Sequence, residues 1–376
     1  MIRIEEIDTE SKAQVRRFID IPFRLYAGCP QWVPPLRIDV KTRLNRQAYP
    51  FYEHSEADFF IAVRDGRDVG RIAALVNHRF NEHHGVRQAQ FYHFECEDDQ
   101  EAATALFERV FAWARARGLD ELVGPKGLSP FDGYGIQIEG TEHRQMMGMM
   151  NYNYDYYRRL VENLGFEKEV DFVSTYIKVD DFRLPERVHR VAERVKRLRN
   201  LVIQEVRTKW DLRKWRNHIG QAYNESFSDN WEYYPLTERE IDFVFRDLVL
   251  VANPRLIKLI THEGDIVGFL LGFPDVSAGL QRANGRLLPL GIFHLLRDMR
   301  RTKWIAFNGI GILSEFQGLG GNALLYSEME KTVHGSFGFE HAELTQVAET
   351  AVQMRRDLRN LGAKPYKNHR VYRRHL

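Results

Sequence analysis

Residues 304–325 read Trp-Ile-Ala-Phe-Asn-Gly-Ile-Gly-Ile-Leu-Ser-Glu-Phe-Gln-Gly-Leu-Gly-Gly-Asn-Ala-Leu-Leu. An apolar, strand-like run ends at Leu313 and a turn carrying Gly318, Gly320 and Gly321 follows. The pattern predicts a helix starting at Asn322 or Ala323. The first N–H groups of a helix lack internal partners and lie at the positive end of its dipole. Glycines keep side chains away from whatever approaches those groups, so the turn is a ready cradle for phosphate oxygens.

Three phosphate ligands compete for such a turn. Gly318-Leu-Gly320-Gly-Asn-Ala323 fits the dinucleotide pattern G-x-G-x-x-A, but that pattern opens a βαβ unit at the start of a sizeable domain. After Ala323 only residues 324–376 remain, enough for one helix–strand unit, a further helix and a final strand. A nicotinamide-binding sheet does not fit. No G-x-x-x-x-G-K-[ST] occurs, which disfavours a nucleotide triphosphatase. The remaining reading depends on what precedes the turn, and that requires the organisation of the whole chain.

A length of 376 residues favours two or three domains, and 44% hydrophobic with 28% charged residues describes an ordinary soluble globular chain. The net charge of +2 gives no global basic field, so nucleic acid is not an expected partner. Two cysteines, Cys29 and Cys96, make no disulfide framework and show no metal spacing. They fit a reducing cytosol, and a cytoplasmic location is expected. The charged N-terminus lacks the apolar stretch of a signal peptide. No apolar run approaches the ~20 residues that span a bilayer, and no membrane partner is expected.

The chain repeats itself. Phe59–Asn77 reads as strand, Asp-Gly turn, strand, and Arg255–Phe273 repeats the design around Glu-Gly. The turn glycine precedes a Val-Gly by the same interval in both copies, Gly66/Gly70 and Gly264/Gly268. A helix closed by Gly165 recurs as one closed by Gly362, each followed by a strand ending in an aromatic, Tyr176 and Tyr372. The two separations agree within one residue, which argues for duplication. Each half reads strand, helix, hairpin, strand, helix, strand, helix, strand. The join is placed near Asp180–Pro185, giving domains 1–180 and 181–376. The halves differ in their inserts, Gly124–Gly148 in the first and about Ser277–Arg301 in the second. Both are longer than ordinary loops and are expected to cover or line a site. The linking helix carries Val188, Val191, Val195 and Leu198 on one face and Arg187, Arg190, Arg194 and Arg197 on the other, a solvated basic face by the simplest reading.

A hairpin and a further strand thus precede the glycine turn, and Gln317 leads into Gly318-x-Gly320. Here the sequence resembles the GNAT (Gcn5-related N-acetyltransferase) superfamily, whose Gln/Arg-x-x-Gly-x-Gly/Ala turn joins its fourth strand to its third helix. The order of elements agrees over residues 201–376 and again over the first half. The whole chain therefore resembles a tandem GNAT protein of the uncharacterised bacterial two-domain kind, which shares motifs like Trp32-Val-Pro-Pro35, Val69-Gly-Arg-Ile72, Pro254-Arg and Tyr366-Lys with Arg370-Val-Tyr372. The resemblance implies an α/β fold of two GNAT-like domains, each a mixed, mostly antiparallel sheet flanked by helices. It implies that Leu313 and backbone N–H groups of Gln317, Gly318, Leu319, Gly320, Gly321 and Asn322 hold the pyrophosphate of acetyl-coenzyme A or another acyl-coenzyme A, with no metal. The implied reaction is acyl transfer, an acetyl group first, to an amine of a small molecule or peptide. Transfer of an aminoacyl or long-chain acyl group, or non-catalytic sensing of acyl-coenzyme A, are the alternatives. Asn322 departs from the Gly or Ala of many relatives. The positions of the superfamily's last-helix Asn and thiolate-protonating Tyr fall on Ala351 and Leu358, neither of which can donate a proton.

The first half's equivalent turn, Phe94-Glu-Cys-Glu-Asp-Asp-Gln100, has no glycine and carries Glu95, Glu97, Asp98 and Asp99. These would repel a pyrophosphate, so this half is expected to lack the coenzyme site. For the chemistry, Glu343 lies in the strand after the coenzyme helix among apolar neighbours and is the expected base, with Glu349 a weaker candidate. Tyr223–Pro235 borders the acceptor in GNAT proteins, which points to Asn224, Asn230, Trp231 and Tyr233 as acceptor-side residues. Asn308 and Gly309 are expected either to place backbone groups near the thioester carbonyl or to form a bulge. His78, His83, His84 and Glu82 lack metal-site order. Met146–Met150 with Tyr152, Tyr154, Tyr156 and Tyr157 reads as packing before it reads as a channel. Lys364, Lys367, Arg370, Arg373 and Arg374 read as a solvated edge before they read as a ribose-phosphate contact.

Overall fold

The computed structural model describes residues 1–146, 150–228, 230–231 and 233–376. In chain order the first elements are β1 (Ile2–Glu6), α1 (Lys12–Leu25), α2 (Arg37–Leu44), β2 (Ser55–Arg64), β3 (Arg67–Asn77), α3 (His78–His84), β4 (Gln88–Cys96), α4 (Gln100–Arg115), β5 (Glu121–Gly124), β6 (Ile136–Glu139), α5 (Tyr156–Glu162) and β7 (Glu167–Lys178). Then come α6 (Glu186–Arg199), β8 (Val202–Gln204), α7 (Lys209–Lys214), α8 (Arg216–Ser226), α9 (Glu238–Val251), β9 (Ile257–His262) and β10 (Asp265–Pro274). The last are α10 (Ser277–Ala283), α11 (Gly291–Arg301), β11 (Trp304–Ile312), α12 (Gly321–Ser336), β12 (His341–Ala348), α13 (Val352–Asn360) and β13 (Lys364–His375). This is the tandem, mixed α/β architecture expected of two GNAT-like halves.

The chain folds into two compact units that interleave in sequence. The first comprises residues 1–173, 276–297 and 366–376, the second residues 174–275 and 298–365. The boundary is therefore not a single cut at residue 180. Both ends of the repeat exchange strands: the closing β13 belongs to the first unit from Tyr366 onward, and residues 174–178 of β7 belong to the second.

In the first unit β1, β2, β3 and β4 pair antiparallel, β4 and β5 pair parallel, and β13 adds antiparallel to β5, with Tyr372 opposite Gly124. The β2–β3 turn uses Asp65 at φ +50° and Gly66 at φ +77°, the left-handed pair that a tight hairpin requires. The core is an aromatic-rich layer between the sheet and α4, where Phe91, Phe107, Phe111, Trp113 and Phe166 are buried. The insert after β5 is not a loose cover. Its strand β6 pairs with β13, and the Asn151 and Asn153 amides bind backbone groups of Gly133, Gly135 and Gln137. The other insert also packs on the first unit: Arg37 N–H donates to Gly285 O and Gln281 donates to Pro30 O and Trp32 O.

In the second unit β8, β9, β10 and β11 pair antiparallel and β11 pairs parallel with β12. The β9–β10 turn repeats the geometry with Glu263 at φ +52° and Gly264 at φ +101°. The repeated Val-Gly has a packing reason. A Cβ at Gly70 would meet Leu106 Cδ1 at 3.0 Å, and one at Gly268 would meet Ile312 Cδ1 at 2.5 Å.

The exchanged β13 is held in the first unit by Asp171, which accepts two bonds from Arg370 (2.8 and 3.0 Å) and one from Asn368 (3.3 Å). Burial alone would raise the Asp171 pKa, but Arg370, Asn368 and Lys168 outweigh it and hold the carboxyl below its ordinary range. A depressed folded-state pKa contributes stability that is present above the unfolded value, about 3.9, and is lost as pH falls through the folded value. Asp171→Ala is expected to lower unfolding free energy by about 3 kcal/mol at neutral pH. In urea titrations the gap to the parent should shrink in acid; a gap independent of pH would exclude this pair as its source.

Candidate functional site

The site is built where a parallel strand pair parts. β11 and β12 are in register from Trp304–His341 to Phe307–Leu344, and beyond that they share no ladder pair among the described residues. The cause lies in β11. Gly272 faces Phe307 and Leu270 faces Ile310, so Asn308 and Gly309 together oppose Leu271 as a β-bulge, and a bulge bends its strand. The bulge reading of Asn308 and Gly309 is thus the observed one, and it opens a gap between β11 and β12.

Polar atoms gather at that gap. Asn308 Oδ1, Thr345 Oγ1 and Ser226 Oγ are buried with no hydrogen-bond partner. Gln346 has φ +45° and its N–H donates to Ser174 Oγ at 3.0 Å. Strained backbone and orphaned polar atoms are both costly, and they concentrate where a ligand is held. Glu343 lies opposite Ala306 and is 0% exposed. A Cβ on Gly311 would meet Ser226 Cβ at 2.8 Å, which marks the α8 face, whereas one on Gly321 would meet Ile312 Cδ1 at 3.0 Å, which marks the α12 face. Following the register through the bulge puts Phe273, Ala306 and Glu343 on the α8 side.

The glycine turn closes one end of the gap. Leu313 is buried and its N–H donates to Val267 O at 3.0 Å. Gln317 Nε2 donates back to Ile312 O at 3.1 Å, so its side chain fastens the turn to the strand end. Gly318 has φ +72° with open space around it, and Gly320, at φ +92°, precedes α12. The helix starts at Gly321, one residue earlier than expected, and no side chain caps it. Leu319 is half-buried. A Cβ on Gly320 would meet Val195 Cγ2 at 2.7 Å and Val191 Cγ1 at 3.0 Å, so α6 backs the turn. The exposed Arg187, Arg190, Arg194 and Arg197 of α6 make no ion pair among the described residues and make this end of the unit electropositive.

Burial raises the pKa of the Asp357 carboxyl on α13, and the nearby Asn322 side chain partly offsets that by favouring the charged form. Ala351 is the N-cap of α13 and Leu358 is buried, so neither offers a donor. One turn beyond Asn322, the Tyr326 hydroxyl donates to Met354 Sδ at 3.8 Å, and burial pushes its pKa above the ordinary phenol value. Tyr326 is a protonated donor that the sequence reading missed; its only sequence signal is the i+4 spacing from Asn322.

The expected acceptor-side residues divide. Asn224 is engaged by its own loop, donating to Leu236 O (3.2 Å) and accepting from Leu236 N–H (3.0 Å). These two bonds anchor the loop. Asn230 forms backbone turns with Phe227 and Tyr233, Tyr233 is buried, and Trp231 is half-buried. Asp229 and Glu232 of this segment lie outside the described residues. Glu349 is half-buried and its carbonyl accepts from Arg355.

The first unit carries the same bulge without the opening. Tyr92 faces Ala73 and Glu95 faces Arg71, leaving His93 and Phe94 between them. After β5, Lys126 N–H donates to Phe91 O at 2.9 Å, which carries the chain back across the equivalent gap. The acidic turn is self-contained. Asp99 caps α4 through Ala102 N–H and pairs with Arg64, Glu97 pairs with Arg24 and Arg67, and Asp98 pairs with Arg159. Glu95 accepts from the Tyr26 and Tyr157 hydroxyls at 2.7 and 2.9 Å. A carboxylate occupies the helix N-terminus where the second unit leaves N–H groups open.

Elsewhere, no group of three or more His, Cys, Asp or Glu suited to a metal occurs among the described residues. Tyr152, Tyr154, Tyr156 and Tyr157 form a contiguous aromatic cluster with Tyr26, in which Tyr154, Tyr156 and Tyr157 are stacked. Met146 and Met150 are buried, and residues 147–149 lie outside the described residues. Lys367, Arg370 and Arg373 are engaged with Arg144 O, Asp171 and Glu169, and Arg374 lies over Phe111.

A duplicated mixed sheet with one uncapped glycine turn beside a parting strand pair defines a tandem GNAT protein. Solved structures agree on the fold: a tandem GNAT protein from the clavulanic acid biosynthesis pathway matches at TM-score 0.56 and 11% identity, covering 100% of this chain and 98% of that one. The chain is 30% identical to the bacterial ceramide synthase of Caulobacter vibrioides, over 98% of this chain and 97% of that protein. It is 25% identical to Protein YghO of Escherichia coli strain K12, over 97% and 94%. The chain belongs to the family of the Caulobacter ceramide synthase. A scan of protein-family models finds no match.

Gly320 combines a left-handed φ with contact to α6. Gly320→Ala is expected to destabilise by about 2 kcal/mol. A double-mutant cycle with Val195→Ala should recover the steric part and leave the backbone part. Additive effects in thermal or chemical unfolding would refute the contact.

Proposed function

We propose that this chain is an acyl-coenzyme A-dependent N-acyltransferase that joins a long-chain acyl group to the amine of a lipid-type acceptor. The observation that carries the reading is the uncapped glycine turn at 317–322 set against the gap between β11 and β12. Turn and helix-start N–H groups suit pyrophosphate oxygens. The polar edges of the gap suit an amide-bearing arm, whose N–H and C=O groups would meet atoms such as Asn308 Oδ1 and Thr345 Oγ1. The long-chain acyl group is favoured over acetyl by the family relation. Ceramide is the amide of a fatty acid with a long-chain amino alcohol, so a synthase of it makes that bond.

In this reading Glu343, buried on the α8 side, takes the proton from the attacking amine. The nitrogen forms its bond to the thioester carbonyl carbon and the carbon–sulfur bond breaks. Tyr326 gives a proton to the departing sulfur, the role that Leu358 cannot perform. A second reading, a non-catalytic acyl-coenzyme A sensor, is favoured by Ala351 and Leu358 alone.

Calorimetry with palmitoyl-coenzyme A is expected to give one site per chain, weakened at least tenfold by Gly320→Glu; absence of any binding sinks both readings. Thiol release with palmitoyl-coenzyme A and a long-chain amino alcohol separates them, since a sensor binds without turnover. Glu343→Gln is expected to lower kcat about a hundredfold or more, as loss of a general base does, with KM for the thioester little changed. Tyr326→Phe should lower kcat by a smaller factor. A Glu343→Gln enzyme with parental kcat removes Glu343 from the mechanism.

A further inference from the structure

Among the described residues, four large apolar side chains that lie close together in sequence face solvent: Leu288 (74% exposed), Leu290 (66%), Phe293 (65%) and Leu296 (47%). They sit on α11 and the turn leading into it. The helix is anchored by its other face, where Gly291 and Leu295 are buried. Its outer face carries Phe293, Leu296, Arg297 and Arg300 at the i, i+3, i+4, i+7 spacing that usually marks a buried stripe. Here the stripe points outward.

Charge says what the stripe is for. Between Val276 and Ser314 the only acid is Asp298, against Arg282, Arg286, Arg297, Arg300, Arg301 and Lys303. Arg286, Arg297, Arg300 and Arg301 are exposed and make no ion pair among the described residues. The patch continues along the first unit. Gly285 O holds Arg37 N–H, and Arg286 joins a groove of about 820 Å³ whose apolar floor (Val15, Ile19, Phe23) is rimmed by Lys12, Lys41 and Arg24 and by one acid, Asp20, paired with Arg16 and Arg37. Exposed Ile38 stands on the same rim. Apolar side chains among unpaired arginines match the boundary of an anionic bilayer, where the former enter the acyl region and the latter reach the phosphates. A second copy matches poorly, because a two-fold contact would bring this cationic set against itself.

We propose that α11 and the Leu288–Leu290 turn dock the protein on an anionic membrane surface, with Leu288, Leu290, Phe293 and Leu296 inserted and Arg286, Arg297, Arg300 and Arg301 on lipid phosphates. The docking is peripheral: no described helix is long and apolar enough to cross a membrane. It does not depend on the acyl-transfer reading.

Co-sedimentation with phosphatidylcholine vesicles, with and without phosphatidylglycerol, tests it. The full chain is expected to pellet with the phosphatidylglycerol vesicles, weakly with phosphatidylcholine alone, and less as salt is raised. Converting Arg297, Arg300 and Arg301 to Glu should lower the partition coefficient about a hundredfold, from the contribution each basic residue makes near a charged surface. The Leu290→Ser/Phe293→Ser variant should lower it about tenfold or more. Both variants should keep the parental melting temperature, because the replaced side chains are exposed. The proposal is overturned if the parent stays in the supernatant, if folded variants bind like the parent, or if sedimentation velocity shows a dimer that Phe293→Ser converts to monomer.

Discussion

Past Phe307 and Leu344 two parallel strands of the second unit part, and the rest of that unit is arranged around the consequence. A parallel pair that stays in register satisfies the N–H and C=O groups along its shared edge. One that parts leaves polar groups facing a gap, and each unmet buried group costs about 1–3 kcal/mol. The bulge at Asn308 and Gly309 forces the parting, the left-handed Gln346 lies on the opposite wall, and Ser226, Asn308 and Thr345 leave oxygens unmet around it. A sheet under selection for stability alone would close such a gap. Keeping it open, with an uncapped helix at one end, is reasonable only where something else supplies the missing partners.

The first unit shows what closing looks like on the same scaffold. Its β4 has the corresponding bulge at His93 and Phe94, yet Lys126 N–H reaches Phe91 O and bridges the gap with the chain's own backbone. Gly124 allows that return, since a Cβ there would lie 2.4 Å from Phe91 O. The helix that follows is capped by Asp99, and the acidic side chains behind it are paired with arginines. His93 stays uncharged, its pKa pushed well down by burial and by Arg71 and Arg43. The difference between an open copy and a closed one thus lies in a few backbone bonds and one carboxylate, not in the fold.

Local features were legible in the sequence because their causes are local. Asp65-Gly66 and Glu263-Gly264 demand left-handed residues, the glycines at 318, 320 and 321 carry no side chain to cap a helix with, and Asp99 does. The exchange of β13 was not legible, since covering a sheet edge is a long-range choice and either unit offers an edge of suitable pattern. The anchoring of the inserts was equally hidden, because it depends on Asn151, Asn153 and Gln281, whose side-chain amides bind backbone and build these segments into the first unit. Asn224 shows the same ambiguity: a polar residue in an acceptor-bordering segment is equally a loop anchor, and its two bonds to Leu236 give it that second role.

The outward stripe of α11 and the gap between β11 and β12 pose the same physical question. Each leaves unfavourable groups uncovered, apolar carbon in water in one case and buried polar atoms without partners in the other, and each is held in place by well-packed neighbours such as Leu295 and Leu313. Rigid support under an unsatisfied surface is what preorganisation requires, because the entropy of ordering the site is then met in folding, not in binding. An acyltransferase whose acceptor and product carry long chains faces reactants that reside in bilayers and barely dissolve in water. Under the reading proposed above, such a reaction needs two uncovered surfaces, one for a water-borne thioester and one for the lipid phase, and the residues at 317–322 and 288–301 have the chemistry each would require.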